Sequence, residues 1–442
     1  MINNRSFFDV IILGAGASGL MAAIHAAERG RKTLVIDHAN QAGRKMLVSG
    51  GGKCNITNRY ISTADYYGAD TAFCKFALKH FTPKSVLCML QQANIETEER
   101  EHGRVFCKKG ASEVVSYLVY RAKNSGVHFL LNTEVSEVIP PAGSVNEIDL
   151  SIKATPSFTP YSMKISTLAE ISEVNSTAGF FVKCGELDST TCFNVKCGEL
   201  TFASPCLLLA AGGLAWPQLG ATSFGYAIAK QFGHSIIPLK PALTGFILPP
   251  ESPLHHLQGI SLDVQLQIKG RNKVFEEPLL FTHQGFSGPV ALQISCFWEK
   301  DDVVLINFLP SEDIISAMHK PDNGRLTVKN LVTQFLPERL AKAVIPELLS
   351  GRKVAELSRS DRKIIADCIH HYPVIPEAVE GFSKAEVTLG GVATSEINPK
   401  SMESLLLKGL FFSGEVIDIT GKLGGYNIHW AFASGYVAGQ NV

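Results

Sequence analysis

Near its start the chain carries a short run, residues 9–13, apolar after its leading Asp9, which predicts a short parallel strand buried on both faces. It breaks at a glycine-rich segment, GAGASG at 14–19, and residues 18–29 then predict a helix stopped by Gly30. A second apolar run, 32–36, predicts a strand ending in Asp37. Two later runs have the same form: 206–213 predicts a strand ending in a glycine pair, and 408–415 one ending in Gly-Glu. The sequence GKLGGYN at 421–427 leads from there into a helix over 428–439. Between these segments the pattern changes. Residues 74–125 read as helices joined by a turn near 98–109, and 127–138 alternates as a strand pair does. Over 238–308 the alternation of VQLQIKG and VVLINF predicts an antiparallel barrel, and 311–380 carries helical periodicity with mixed charge.

The first segment has the order strand, G-x-G-x-x-G, helix, strand, acid. Gly14 makes the tight turn, Gly16 lets a pyrophosphate approach the backbone, and Gly19 allows close helix–strand packing. The helix N-terminus then faces the phosphate charge. Asp37 stands at the roughly 20-residue distance expected of a carboxylate that binds a ribose. Dinucleotide binding follows, and two features favour FAD over NAD(P). Residues 43–58, GRKMLVSGGGKCNITN, form a loop rich in glycine, amide and hydroxyl groups, with Arg44 and Lys45 near its start. The Gly414-Glu415 strand end suits a ribityl chain, and the helix after 421–427 aims its positive end at the pyrimidine edge of a flavin.

Composition narrows the class. The 442 residues suffice for two or three domains, and 41 basic against 41 acidic residues imply no global attraction to nucleic acid or membrane. No apolar run is long enough to span a membrane, and the ten cysteines are scattered without a C-x-x-C pair. The expectation is a cytoplasmic enzyme with reduced thiols, no metal and no stable protein partner. Residues 141–205 are unusually rich in Ser and Thr and contain a near-repeat, VKCGEL at 182–187 and 195–200, which suggests an expanded β-meander. Cys184, Cys192 and Cys197 match no standard zinc spacing.

Four stretches, GRKMLVSGGGKCNITN, FTHQGFSGPVAL, GGVATSEINPKSMES and GLFFSGEVIDITGKLGGYNIHWAFASGYVAG, together resemble the bacterial HI0933-like flavoproteins, also known as the BaiN/RdsA family. The resemblance runs over nearly the whole chain. It implies an α/β fold: a glutathione-reductase-like FAD-binding Rossmann domain interrupted by an antiparallel β-barrel domain and a small helical domain. The expected division is 1–237 and 385–442 for the FAD domain, 238–310 for the barrel and 311–384 for the helices. The family implies NAD(P)H-dependent reduction of an activated C=C bond, in a ribosomal RNA uridine or a small enone, with amine oxidation attached to relatives. The chain departs from the family at Asp37, where Glu is common, at Lys53 for Arg, and at Ala211 for Thr.

Residue reading and resemblance together assign the cofactor to Gly14, Gly16, Ala17, Ser18, Gly19, Asp37, Arg44, Lys45, Ser49, Gly51, Gly52, Asn55, Ala211, Gly212, Gly414, Glu415, Gly424, Gly425, Tyr426 and Asn427. With one dinucleotide fingerprint, NADH or NADPH is expected as a transient co-substrate. Reducing C=C also needs a proton. Cys54 either supplies it or packs beneath the flavin, and a single cysteine there precludes a local redox disulfide. His283 either reaches substrate or stabilises its loop; Tyr426 and His429 are rival acids. Arg100, His102, Arg104, Lys108, Lys109 and Phe106 form a basic–aromatic cluster that suits either an RNA contact or a solvated turn. A non-catalytic flavin-binding or assembly protein is a further alternative.

Overall fold

The computed structural model describes residues 5–142 and 191–442. They divide into two compact units, Met1–Lys240 with Thr388–Val442, and Pro241–Val387. The first copy of the VKCGEL repeat, with Cys184, lies outside the described residues. The second copy forms one end of an antiparallel hairpin between strands Phe193–Cys197 and Leu200–Ser204.

The first unit is built on a five-stranded parallel sheet. Its strands are β1 (Val10–Leu13), β2 (Thr33–Ile36), β6 (His128–Leu130), β7 (Cys206–Leu209) and β8 (Leu410–Phe412), in the order β6-β2-β1-β7-β8. The remaining first-unit elements used below are helix α1 (Ala17–Glu28), helix α2 (Arg44–Val48), strands β3 (Asn55–Asn58), β4 (Thr97–Arg100) and β5 (Arg104–Cys107), and the C-terminal helix α3 (Tyr426–Asn441). Successive connections run outward from β1 in one direction and then the other, so the order reverses between β1 and β7. In an open parallel sheet that reversal places a crevice at the carboxyl ends of those two strands. All residues of β1 and β2 are buried, which explains why all but Thr33 are hydrophobic. Helices α1 and α3 pack closely because glycines remove the side chains between them. A Cβ at Gly435 or Gly439 would lie 2.3 or 2.6 Å from a backbone oxygen of Ser18 or Ala22.

Two local expectations are corrected. Residues 98–109 are not a turn between helices: β4 and β5 form a hairpin that β3 completes as a three-stranded antiparallel sheet. The corner is made by His102 and Gly103, both with left-handed backbone (φ +60° and +70°). The helical segments Lys75–His80, Pro83–Gln92 and Ala111–Asn124 lie on either side. Residues 127–138 are not a strand pair either. β6 joins the parallel sheet, while Glu137–Ile139 pairs with Phe193–Cys197. Local alternation was right; the partners are distant in sequence.

The second unit carries a seven-stranded antiparallel sheet in the order Tyr372–Val374, Val304–Asn307, Ser261–Ile268, Val274–Phe281, Gly285–Ser287, Phe246–Ile247 and Ala378–Val379. Two of these strands come from the stretch read as helical, which elsewhere does form helices, the longest Arg359–His370. Leu266, Ile306, Leu331 and Ile365 share one core, so sheet and helices are packed together. Among the described residues no helix is long and apolar enough to cross a membrane.

Candidate cofactor and active site

The carboxyl ends of β1, β2, β7 and β8 carry the first group of expected site residues: Gly14 to Gly19, Asp37, Ala211 with Gly212, and Gly414 with Glu415. The three fingerprint glycines differ physically. A Cβ on Gly14 would lie 2.4 Å from the Ala210 carbonyl oxygen, and one on Gly19 2.0 Å from that of Gly14, so both are required by the packing of the chain itself. A Cβ on Gly16 would meet no protein atom within 4 Å. That open space beside the N-terminus of α1, which no side chain caps, is what a pyrophosphate needs. Gly51 and Gly212 are likewise open.

Asp37 is already partly engaged. Its carboxylate accepts Ala15 N–H at 2.6 Å and Ala39 N–H at 2.8 Å, which fixes the fingerprint loop against the end of β2. Each oxygen keeps a further lone pair for a ribose hydroxyl. Ser18 is not an open donor: its hydroxyl is buried against the Ser413 carbonyl at 3.4 Å, leaving only backbone to a ligand. Ala17 begins α1.

Helix α2 brings Arg44 and Lys45 to the same region. Lys45 Nζ lies 2.8 and 3.0 Å from the two Glu415 carboxylate oxygens, and Glu415 Oε1 also accepts Thr388 N–H at 2.8 Å. Thr388 was not anticipated. Its hydroxyl accepts Leu214 and Ala215 N–H at 2.8 and 3.1 Å, tying the loop after β7 to Glu415. The only sequence hint was its place in TLGG, an apolar stretch ending in two glycines.

The second group surrounds the start of α3. Ser49, Gly51 and Gly52 belong to a tight turn after α2, and the Ser49 hydroxyl donates to Met46 O at 2.7 Å. The Asn55 carboxamide spans Val105 O and Gly425 N at 3.3 and 3.2 Å. A Cβ on Gly425 would lie 2.3 Å from Thr57 O, so β3 presses directly on the turn at Gly424 and Gly425. The Asn427 side chain staples the loop: its amide oxygen and nitrogen bind the N–H and carbonyl of Gly421 at 2.8 and 2.7 Å. The Tyr426 hydroxyl donates to Tyr60 O at 3.1 Å and its ring is buried. No side chain caps α3, which leaves its positive end facing this turn.

The three first-unit acid candidates, Cys54, Tyr426 and His429, are all buried. Cys54 is fully covered by protein, and burial pushes its thiol up to about 11. It therefore stays protonated at neutral pH, and its full burial favours the packing role over that of the acid. We expect Cys54→Ala to keep flavin and to reoxidise with an organic substrate within about threefold of wild type, rather than the roughly 10²–10⁴-fold loss of a missing general acid, as rapid mixing would show. His429 is buried, paired through Nδ1 with the Thr57 hydroxyl at 2.9 Å, and lowered by desolvation to about 4, so it is neutral at pH 7. His283 lies exposed in the second unit, between strands Val274–Phe281 and Gly285–Ser287.

The HI0933-like protein Rossmann domain family matches residues 8–165 and 166–441. The chain is 33% identical to a ribosomal RNA dihydrouridine synthase of Escherichia coli over 98% of both proteins. It is 35% identical to the protein of that name from Haemophilus influenzae, over 99% of this chain and 98% of the relative. A 3-dehydro-bile acid delta(4,6)-reductase of Clostridium scindens is 27% identical over 97% of both. With the glycine framework of the parallel sheet in place and the family matched from end to end, the chain belongs to the HI0933-like flavoproteins, FAD-dependent oxidoreductases of Rossmann-like fold.

Proposed function

We propose that this enzyme reduces the C5=C6 bond of uridine in ribosomal RNA to dihydrouridine, with NADH or NADPH as electron source. The single observation that carries this reading is the full-length similarity to two proteins named for that reaction. The reaction adds a hydride at one ring carbon and a proton at its neighbour, and the nicotinamide is oxidised by the same two electrons. Bound FAD supplies the hydride-transfer chemistry. The chain's part is to hold and orient it. Gly16 and the α1 N-terminus would receive the pyrophosphate, Asp37 the ribose and Glu415 the ribityl region, with the α3 N-terminus favouring negative charge at the flavin's pyrimidine edge. One nucleotide fingerprint in the chain favours a nicotinamide that visits and leaves before RNA is reduced.

The test is incubation of purified protein with unmodified ribosomal RNA and each nicotinamide, with dihydrouridine read by mass spectrometry. Formation with one donor supports the reading; none with either overturns it. The 27% identical bile-acid reductase supports a second reading, a small enone as substrate. Consumption of NADH or NADPH with a steroid enone but not with RNA would select it.

Glu415 has a binding role in this account, with no part in the chemical step. Glu415→Ala frees Lys45 and leaves Thr388 N–H without its acceptor. We expect FAD affinity to fall by at least tenfold, on the scale of a lost charge-assisted hydrogen bond, and turnover to recover when FAD is added in excess. Retained flavin with a slow chemical step would contradict that role.

A further inference from the structure

We propose that Tyr60 is a stacking platform for an unpaired base of an RNA substrate, held at the edge of the cofactor turn by Asn58. The proposal rests on the RNA reading above and assigns it a surface. Tyr60 follows β3 with its side chain 72% exposed. A large aromatic left in water usually folds down onto the surface, but this one is fixed on several sides. Its N–H donates to Asn58 Oδ1 at 2.9 Å, and its carbonyl accepts the Tyr426 hydroxyl at 3.1 Å. Its ring lies against Gly103, where a Cβ would come within 2.8 Å of the ring carbon Cδ2. The left-handed corner at His102 and Gly103 thus makes the room the ring occupies.

Asn58 is buried and uses its whole carboxamide. Besides accepting from Tyr60, its Nδ2 donates to His102 O at 3.0 Å and to Gly424 O at 3.1 Å. One side chain therefore ties the exposed ring and the hairpin corner to the turn that opens α3. Arg104 borders the same turn, with its Nε 3.3 Å from where a Gly424 Cβ would stand. Two further guanidinium groups lie on this small sheet or just beyond it: Arg59, after β3, pairs with Glu99 at 2.8 Å, and Arg100 pairs with Glu98 and lies over the Phe106 ring at 4.3 Å.

An exposed aromatic face on a small sheet that also carries arginines offers both a stacking surface and cationic groups to a planar base on a phosphodiester chain. A steroid would need concave apolar walls instead. Stacking on one aromatic is worth about 1–3 kcal/mol per base, which converts to roughly 5- to 150-fold in affinity.

The experiment measures binding of single-stranded oligouridylate to the FAD-loaded protein by fluorescence anisotropy at fixed salt. Tyr60→Ala should weaken binding by about 10- to 100-fold with flavin content unchanged. Tyr60→Phe should bind nearly as wild type, and Tyr60→Leu should not. Equal binding by Tyr60→Ala and wild type, or rescue by Leu as good as by Phe, would overturn the platform. The reaction is scored separately. A wild-type protein that binds oligouridylate through Tyr60 yet forms no dihydrouridine overturns the proposed chemistry and leaves the platform standing.

Discussion

Gly16→Val is expected to give a folded but colourless protein. The added side chain has room in the protein itself, since a Cβ at this position meets no atom within 4 Å. The fold therefore has no reason to reject it, and the thermal midpoint should stay close to that of flavin-stripped wild type. The space it fills is the one assigned to the pyrophosphate, so FAD occupancy should fall from near stoichiometric to below about a tenth, read from absorbance and released flavin. Gly14→Val and Gly19→Val make the contrast. Their Cβ positions collide with backbone at 2.4 and 2.0 Å, so those variants should lose the fold along with the flavin. Full FAD occupancy in a folded Gly16→Val protein would refute the placement of the loop.

The second large effect is acid sensitivity. His429 and His25 are both lowered by desolvation to about 4 from an ordinary value of 6.5. In the unfolded chain each takes up a proton near pH 6.5, whereas the folded protein resists until about pH 4. Each therefore contributes stability that is present in full above pH 6.5 and is lost progressively as the pH falls towards 4. By pH 5 the loss should be about 2 kcal/mol for a histidine as buried as His429. Asp418, whose pKa burial raises, works in the opposite direction. The urea midpoint should accordingly drop between pH 7.5 and 5. His429→Asn, which can still meet the Thr57 hydroxyl, should drop less. An equal drop in the two proteins would mean that His429 carries its proton in the folded state.

Much of the first unit was legible because its signals are local. An apolar run with glycine at its end announces a buried parallel strand, and β1, β2, β7 and β8 are that pattern repeated. The β4–β5 hairpin was hidden because its strands are mostly charged outside Val105, Phe106 and Cys107, and a helix on either side made a turn the natural reading. Its real signal was the His-Gly corner. Within the site, glycine positions were readable because their role is set by backbone geometry. Side-chain roles were not: nothing local says that Asn427 would close on Gly421, that Ser18 would turn towards Ser413, or that Thr388 would reach the loop after β7. Cys54 illustrates the limit best, since the sequence left open whether it reaches substrate or packs, and only the structure shows it fully buried just before β3.

The most direct test of the account is the dihydrouridine content of ribosomal RNA in otherwise identical cells with and without this gene. The account predicts that one specific dihydrouridine disappears on deletion, returns with the wild-type gene and does not return with Gly16→Val. Ribosomal RNA with unchanged dihydrouridine in the deletion strain would contradict it.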